Sequence, residues 1–395
     1  MYLDLGEQPL ANSYRRSLLD DPLPVFPLQA MVCKHCWHSQ LSIVVNPDLM
    51  FKDYLYVSGT GTTIHEYFAF FADFTSDTYF YANSERPTTV LDIAANDASQ
   101  LNAYRDIGLK TFGVDPAENL AVLHDHPVVV DYWNAVSAKE ISQNVPGHTF
   151  DLITAQNVFA HVHDVCDFLH NCKTVMHEKS LLFIQTSQAY MIDNGEFDTL
   201  YCEHLSFFNT NSMSKLAKRC GMVLENVMHT EIHGGSYVFV LSLQGGKALD
   251  SSLVSREIEN EKKRGFYTLR TYEQFAENAT RCVTNLRTEI ANHREEGKTI
   301  VGYGAAAKGM TVLNFGQIAL DYIVDDNPLK QGRLSPGMNI PIVPSSYLLD
   351  NPTVNVFVPL AWNFAKEIEA KIKTLCPNDE IESIRYFPEL ETVTL

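Results

Sequence analysis

From Thr89 to Pro116 the apolar positions fall as they would in a buried strand, a turn, a helix and a second strand. Val90-Leu91-Asp92-Ile93 is an apolar run broken by one carboxylate. The small, turn-forming residues Ala94 to Ser99 follow, and the pattern predicts a helix from about Ser99. The next run, Thr111-Phe112-Gly113-Val114, ends on Asp115-Pro116. A strand, turn, helix and strand closed by an acid make the first unit of a doubly wound sheet. Such sheets take ligands at the carboxyl ends of their strands, where an acid can accept ribose hydroxyls.

The same grouping continues downstream. Phe150 to Asn157 reads as a buried strand entering a polar loop that reaches His161, and His163-Asp164 open a helix. Lys179 to Gln185 is a further strand, Met213 to Cys220 a helix stopped by Gly221, and Gly235 to Leu243 a terminal strand. Ahead of this region, residues 1–65 read as loop-rich, with prolines at 22, 24 and 27, and an aromatic helix follows from Ile64. Behind it, the mixed-charge stretch to about residue 297 predicts a helical connector with solvated faces. Thr299 to Met310 then begins a second strand, glycine turn and helix, with Tyr322–Pro328 and Asn355–Pro359 as its next strands. The expectation is an α/β chain in four parts: a small module over 1–65, a doubly wound domain over 66–245, a connector over 246–297 and a smaller Rossmann-like domain over 298–395.

Charge narrows the partners. The 395 residues carry a formal net charge of −18, which disfavours nucleic acid and anionic membranes. No apolar run approaches the roughly 18 residues of a membrane span. Eight cysteines without a disulfide framework, and no secretory signal, point to a reducing cytoplasm.

Three stretches carry candidate chemistry. Cys33 and Cys36 form a CxxC knuckle, the spacing with which two thiolates clasp Zn²⁺, but the chain has no second CxxC. His35 and His38 are the nearby candidates to complete it; a CxxC without metal is the other reading. Thr199 to Phe208 gathers Tyr201, Glu203 and His204 beside aromatic residues. A histidine with a carboxylate neighbour suits a general base, and a phenol can donate to a developing enolate oxygen; the alternative is a packed aromatic loop. Finally, the GYGAAAK turn can seat a phosphate at a helix N-terminus with Lys308 as counter-ion, or be a tight packing turn.

With these pieces in order, the first unit resembles the S-adenosylmethionine site of class I methyltransferases, usually close to LDIGxNDG, with Ala94 and Ala98 where glycines stand. The whole chain resembles the nucleotide-sugar C-methyltransferases that make branched deoxysugars. The likeness runs through LGEQPLANSY, the CxxC knuckle, NPDLMF, LDIxxNDxxxL, AQNVFAHV, YCEHLSFF, HGGS, VGYGAAAKG, VDDNPLKQGRLSPGMNIPI and LAWNF. It implies a class I methyltransferase domain between a zinc-binding N-terminal module and a C-terminal Rossmann-like domain. The implied substrate is a 4-keto deoxysugar on a nucleoside diphosphate, methylated at C3. By the same resemblance Tyr201, Glu203 and His204 are catalytic, with His204 as base. Asp92, Ala94, Asn96, Asp97, Asp115 and Asn157 fall at cofactor positions, and Tyr56, Ser58, His233, Lys308 and Asn363 near the sugar nucleotide. Such chains commonly carry another CxxC before the LDLG segment, where this one has Met1-Tyr2, so half the zinc ligands are expected to be missing. They often carry arginine where Val238 stands. These departures support an alternative: a catalytically impaired or repurposed nucleotide-sugar-binding protein.

Overall fold

A computed structural model describes residues 1–51, 59, 62–246, 252–350, 354–376 and 381–395. The N-terminal module is a sheet rather than a loop region. Strands β1 (Leu3–Pro9), β2 (Val25–Val32) and β3 (Ser39–Leu41) pair antiparallel. Pro27 argues against a strand, yet it sits inside β2 at the bulge where the register shifts between Asp4 and Glu7. A bulge tolerates a residue with no N–H to donate.

The central domain contains β4 (Thr89–Ile93), β5 (Lys110–Val114), β6 (Val128–Val129), β7 (Phe150–Gln156), β8 (Met176–Thr186), β9 (Ser206–Phe207), β10 (Met222–Thr230) and β11 (Ser236–Leu243). Seven of these form one sheet in the order β10-β11-β8-β7-β4-β5-β6, parallel except that β11 runs against both neighbours. This is the class I methyltransferase sheet. Strand β9 leaves it and completes the N-terminal sheet, pairing Phe207 with Ser39 and Ser206 with Gln40. Strand β10 lies outside the strands expected from the pattern. Its second half is only partly buried, so its apolar signal is diluted.

The last domain holds β12 (Ile300–Tyr303), β13 (Tyr322–Val324), β14 (Ile342–Val343), β15 (Val356–Pro359), β16 (Glu382–Arg385) and β17 (Glu391–Thr394), ordered β14-β13-β12-β15-β16-β17. The connector is two helices, Ser252–Lys263 and Leu269–Glu295. It is more than a solvated spacer. Tyr272, Phe275, Ala279, Val283, Leu286, Ile290 and His293 recur every three or four residues and are buried. Phe275 to Ile290 share one apolar core with Leu3, Leu28, Phe197, Phe207, Ile300 and Met310. Each such side chain contributes about 1.5–3 kcal/mol of burial, so the core binds the N-terminal module, the Thr199–Phe208 peptide and the C-terminal domain into one body.

Candidate active site

The turn after β4 is built on left-handed backbone. Ala94, Asn96 and Ala98 have φ of 63°, 52° and 61°. Holding an alanine there costs about 1–2 kcal/mol, and strain of this kind collects at functional sites. The Ala98 methyl is fully buried in a small cluster with Ala95 and Leu101, so it packs into the domain. Asp115, directly after β5, accepts the backbone amides of Asn96 (2.8 Å) and Ala117 (2.8 Å), which ties the turn to the end of its neighbouring strand. Burial raises its pKa above the usual carboxylate range. Asp92 is 4% exposed, receives the Thr154 hydroxyl at 2.6 Å, and is pushed up to about 7 by burial. Asp97 accepts the Ser99 amide at 3.1 Å and the Gly59 amide at 2.8 Å, bringing Gly59 against the turn. Across the crevice, Asn157 also has positive φ (51°), and its Oδ1 is buried without a partner among the described residues.

The Thr199–Phe208 peptide crosses to the N-terminal sheet as β9, and this crossing fixes its polar residues. His204, 6% exposed, has Nδ1 2.8 Å from the Thr199 carbonyl and Nε2 2.8 Å from the Tyr201 hydroxyl. A carbonyl can only accept, so Nδ1 carries the proton and Nε2 accepts from Tyr201. Burial, then the neighbouring His161 and Lys308, hold His204 well below 6.5, so the ring is neutral. His161 meets it edge to face at 4.9 Å between ring centres and is itself depressed to about 4 by burial. Glu203 turns the other way. Its carboxylate is 3% exposed, raised to about 7 by burial, and receives Asn12 Nδ2 at 2.6 Å.

Lys308 reaches this centre from the C-terminal domain. It leaves the glycine turn, approaches Glu196 at 3.7 Å and lies 5.0 Å over the Trp362 ring, with Nζ buried and making no hydrogen bond among the described residues. Trp362 donates to Asp198 at 2.6 Å. The His233 turn is close by, since a Cβ on Gly234 would lie 3.6 Å from Trp362 and 3.9 Å from Glu196. The side chain of His233 lies outside the described residues, as do Tyr56 and Ser58 altogether. Asn363 is exposed on the turn Trp362–Phe364, and it is its neighbour Trp362 that makes the contact. The structure thus brings Tyr201, His204 and Lys308 together. It adds His161, Glu196, Asp198 and Asn12, which sequence reasoning does not single out; only His161, inside AQNVFAHV, lies in a motif already placed at this crevice.

The CxxC knuckle is folded, with the Cys33 amide donating to the His38 carbonyl at 2.9 Å and the Trp37 amide to the Cys33 carbonyl at 2.8 Å. Cys33 is exposed and its thiol is lowered by the amides of Cys36 and His35, as a metal-binding thiolate would be. His38 packs its ring 4.6 Å from Phe208 and is held at about 4 by burial. Among the described residues no three His, Cys, Asp or Glu side chains group to hold a metal. Cys33 and Cys36 supply two of the four donors that a structural zinc takes. No described helix is long and apolar enough to cross a membrane.

The seven-stranded sheet and its acid-closed turn are those of a class I methyltransferase, and similarity to known proteins agrees. Residues 64–227 match the family described as "Methyltransferase domain", 231–386 "C-methyltransferase C-terminal domain", and 1–51 "Putative zinc binding domain". The chain is an S-adenosylmethionine-dependent methyltransferase with the domain set of the C-methyltransferases. It is 29% identical over 361 residues to the C-methyltransferase NovU of Streptomyces niveus, covering 87% of this chain and 82% of that protein. A ubiquinone biosynthesis O-methyltransferase of Rhizobium etli is 32% identical over 107 residues, 26% of this chain and 42% of that one. Among solved structures, the plantazolicin methyltransferase BpumL with SAH matches at TM-score 0.35 and 11% identity, over 45% of this chain and 83% of that one.

Proposed function

We propose that the protein transfers a methyl group from S-adenosylmethionine to C3 of a 4-keto deoxysugar carried on a nucleoside diphosphate. One observation carries this reading: Asn157 Oδ1, His161 Nδ1, Asp198 Oδ1, Thr199 Oγ1 and Lys308 Nζ are all buried without hydrogen-bond partners among the described residues, on segments that meet around His204. Unpaired buried polar groups are costly, and a polyhydroxylated, anionic ligand supplies both the donors and the acceptors they lack.

In this account the ketone oxygen accepts the Tyr201 hydroxyl, which frees His204 Nε2. That nitrogen then removes the C3 proton, acidified by the adjacent carbonyl, and the Thr199 carbonyl holds the imidazolium that forms. The carbanion end of the enolate attacks the sulfonium methyl, so the C–S bond breaks as the C–C bond forms and S-adenosylhomocysteine leaves. Lys308 depresses the basicity of His204 in the free protein; an anionic substrate beside Lys308 offsets that charge, so the base strengthens when substrate binds. Asp115 receives the cofactor ribose, and Asn157 faces it across the crevice. The test is incubation with methyl-labelled S-adenosylmethionine and a panel of 4-keto nucleotide sugars, locating the new methyl by NMR. A methyl on carbon is expected; a methyl on oxygen or nitrogen, or no incorporation with any sugar, overturns the reading. His204→Gln is expected to abolish turnover while calorimetry shows unchanged cofactor affinity.

A further inference from the structure

The segment Pro9 to Arg15 runs from the N-terminal sheet between the other two domains, and three of its polar side chains are fastened to different parts. Asn12 Nδ2 donates to Glu203 at 2.6 Å. Two residues on, the Tyr14 hydroxyl donates to the Ala305 carbonyl at 2.6 Å, in the glycine turn of the C-terminal domain. Arg15 then reaches Asn339 at 2.5 Å, and its carbonyl accepts the Leu334 amide at 2.8 Å. Leu10, Ala11 and Tyr14 are buried in the shared core, so Asn12 is held by the chain on either side of it.

We propose that Asn12 is a positioning residue for the reaction: its side-chain amide fixes the Glu203 carboxylate behind Tyr201 and His204 and ties that peptide to the N-terminal module. This role presupposes the carbon methylation argued above. Glu203 is almost wholly removed from water, and the other titratable groups in charge range are the Tyr14 hydroxyl and the Cys202 thiol, both raised by burial and neutral near pH 7. His204, next in the chain, is neutral too. Among the described residues the Asn12 amide is therefore the group that favours the ionised carboxylate, and a donor to a carboxylate is worth more than one to a neutral acceptor. If Asn12 is lost, Glu203 keeps its proton to higher pH and the peptide that carries Tyr201 and His204 loses its tie to the N-terminal module.

The test uses the full chain with carboxyl-labelled glutamate, the Glu203 signal being assigned by its loss in Glu203→Gln. Wild type is expected to titrate near 7; Asn12→Leu, close in shape but without a donor, is expected to raise that midpoint by about one pH unit. Asn12→Asp, nearly the same size, sets a second carboxyl against the first and is also expected to raise it, and decides the matter alone if the leucine variant does not fold. An unmoved midpoint in a folded variant overturns the proposal. In turnover, the corresponding limb of the kcat profile is expected to move with the midpoint while KM for the sugar nucleotide stays within about twofold. A uniform fall in kcat with no moved limb reduces Asn12 to a structural contact and overturns its positioning role. Should wild type methylate no 4-keto nucleotide sugar, the carbon-methylation reading fails while the carboxyl titration still reads the Asn12–Glu203 contact, so the two failures remain distinct.

Discussion

The chain contains the same strand, turn and acid arrangement twice, and the two copies have been put to different use. In the central domain Asp115 accepts amides from Asn96 and Ala117, both at 2.8 Å. In the C-terminal domain Asp325, just past β13, accepts amides from Ala305 at 2.6 Å and Asn327 at 2.8 Å. The backbone logic is identical: the acid ties down the first turn and the residue two positions after itself. What surrounds the acid differs. Lys330 lies 3.7 Å from Asp325 and donates to the Ala305 carbonyl at 2.8 Å, where the Tyr14 hydroxyl donates as well. The C-terminal turn is thus filled from within the chain. Around the central turn Asn157 Oδ1 and both ring nitrogens of His124 are buried and unpartnered among the described residues. A shared fold does not make a ligand site: the C-terminal acid and its turn carbonyl are taken up by Lys330 and Tyr14, and the unmet group that leaves that turn, Lys308 Nζ, lies instead by Glu196 and the Trp362 ring.

The largest effect that can break this contrast comes from removing each acid in turn. Asp115→Ala is expected to weaken S-adenosylmethionine binding about 100-fold, from the lost carboxylate hydrogen bonds. Asp325→Ala is expected to leave cofactor affinity within about twofold and lower the unfolding temperature instead. Calorimetric titration and thermal unfolding of both variants check this, and equal losses of affinity would erase the distinction.

A second contrast is in pH. Asp92 and Glu203 have folded pKa values near 7 against ordinary values of 3.8 and 4.5. Between those limits the folded protein binds more protons than the unfolded chain, so stability falls as pH rises through about 7. The buried histidines act oppositely. His38 and His161 sit near 4 against 6.5, so between 4 and 6.5 the unfolded chain binds more protons and stability falls as pH is lowered. From about pH 4.5 to 6 the two carboxyls and the two imidazoles oppose each other, so the ligand-free protein is expected to change little in stability there and to lose stability from about pH 6 to 8, and Asp92→Asn to reduce that loss. Unfolding temperatures from pH 5 to 9 measure it. At the opposite end of the same sheet Asp151 is fully provided for, accepting from Thr88, Thr89, Tyr79 and His177, and is held well below the carboxylate range. Its contribution is present above the unfolded value and lost as pH falls below it, so Asp151→Ala is expected to cost about 3 kcal/mol at pH 7, read by denaturant unfolding.

The smallest effect concerns backbone. Ala94→Gly or Ala98→Gly relieves left-handed alanine and is expected to change stability by no more than about 1 kcal/mol, the steric relief being partly offset by unfolded-chain entropy. Gly304→Ala in the other turn, at φ 85° with a Cβ 3.2 Å from that of Ala361, is expected to destabilise by about 1–2 kcal/mol.

Much of this is legible without the structure because it is local. The β4 and β5 runs, Asp115 and the helix stop at Gly221 are written within a few residues of one another, where periodicity and turn chemistry act. The N-terminal sheet is hidden because its signs are non-local: β2 tolerates Pro27 only at a bulge, and its last strand comes from Ser206–Phe207. The direction of Lys308 is set by Glu196 and Trp362, and that of Glu203 by Asn12, 191 positions away. No pattern within a window contains such pairs.

The central claim is that His204 takes a proton from carbon before the methyl group moves. It is tested most directly by incubating a 4-keto deoxysugar nucleotide with the protein and S-adenosylhomocysteine in D₂O, and following C3 by NMR. Deuterium is expected to enter C3 with wild type and not with His204→Gln. Exchange that persists in the variant at the wild-type rate would contradict the account.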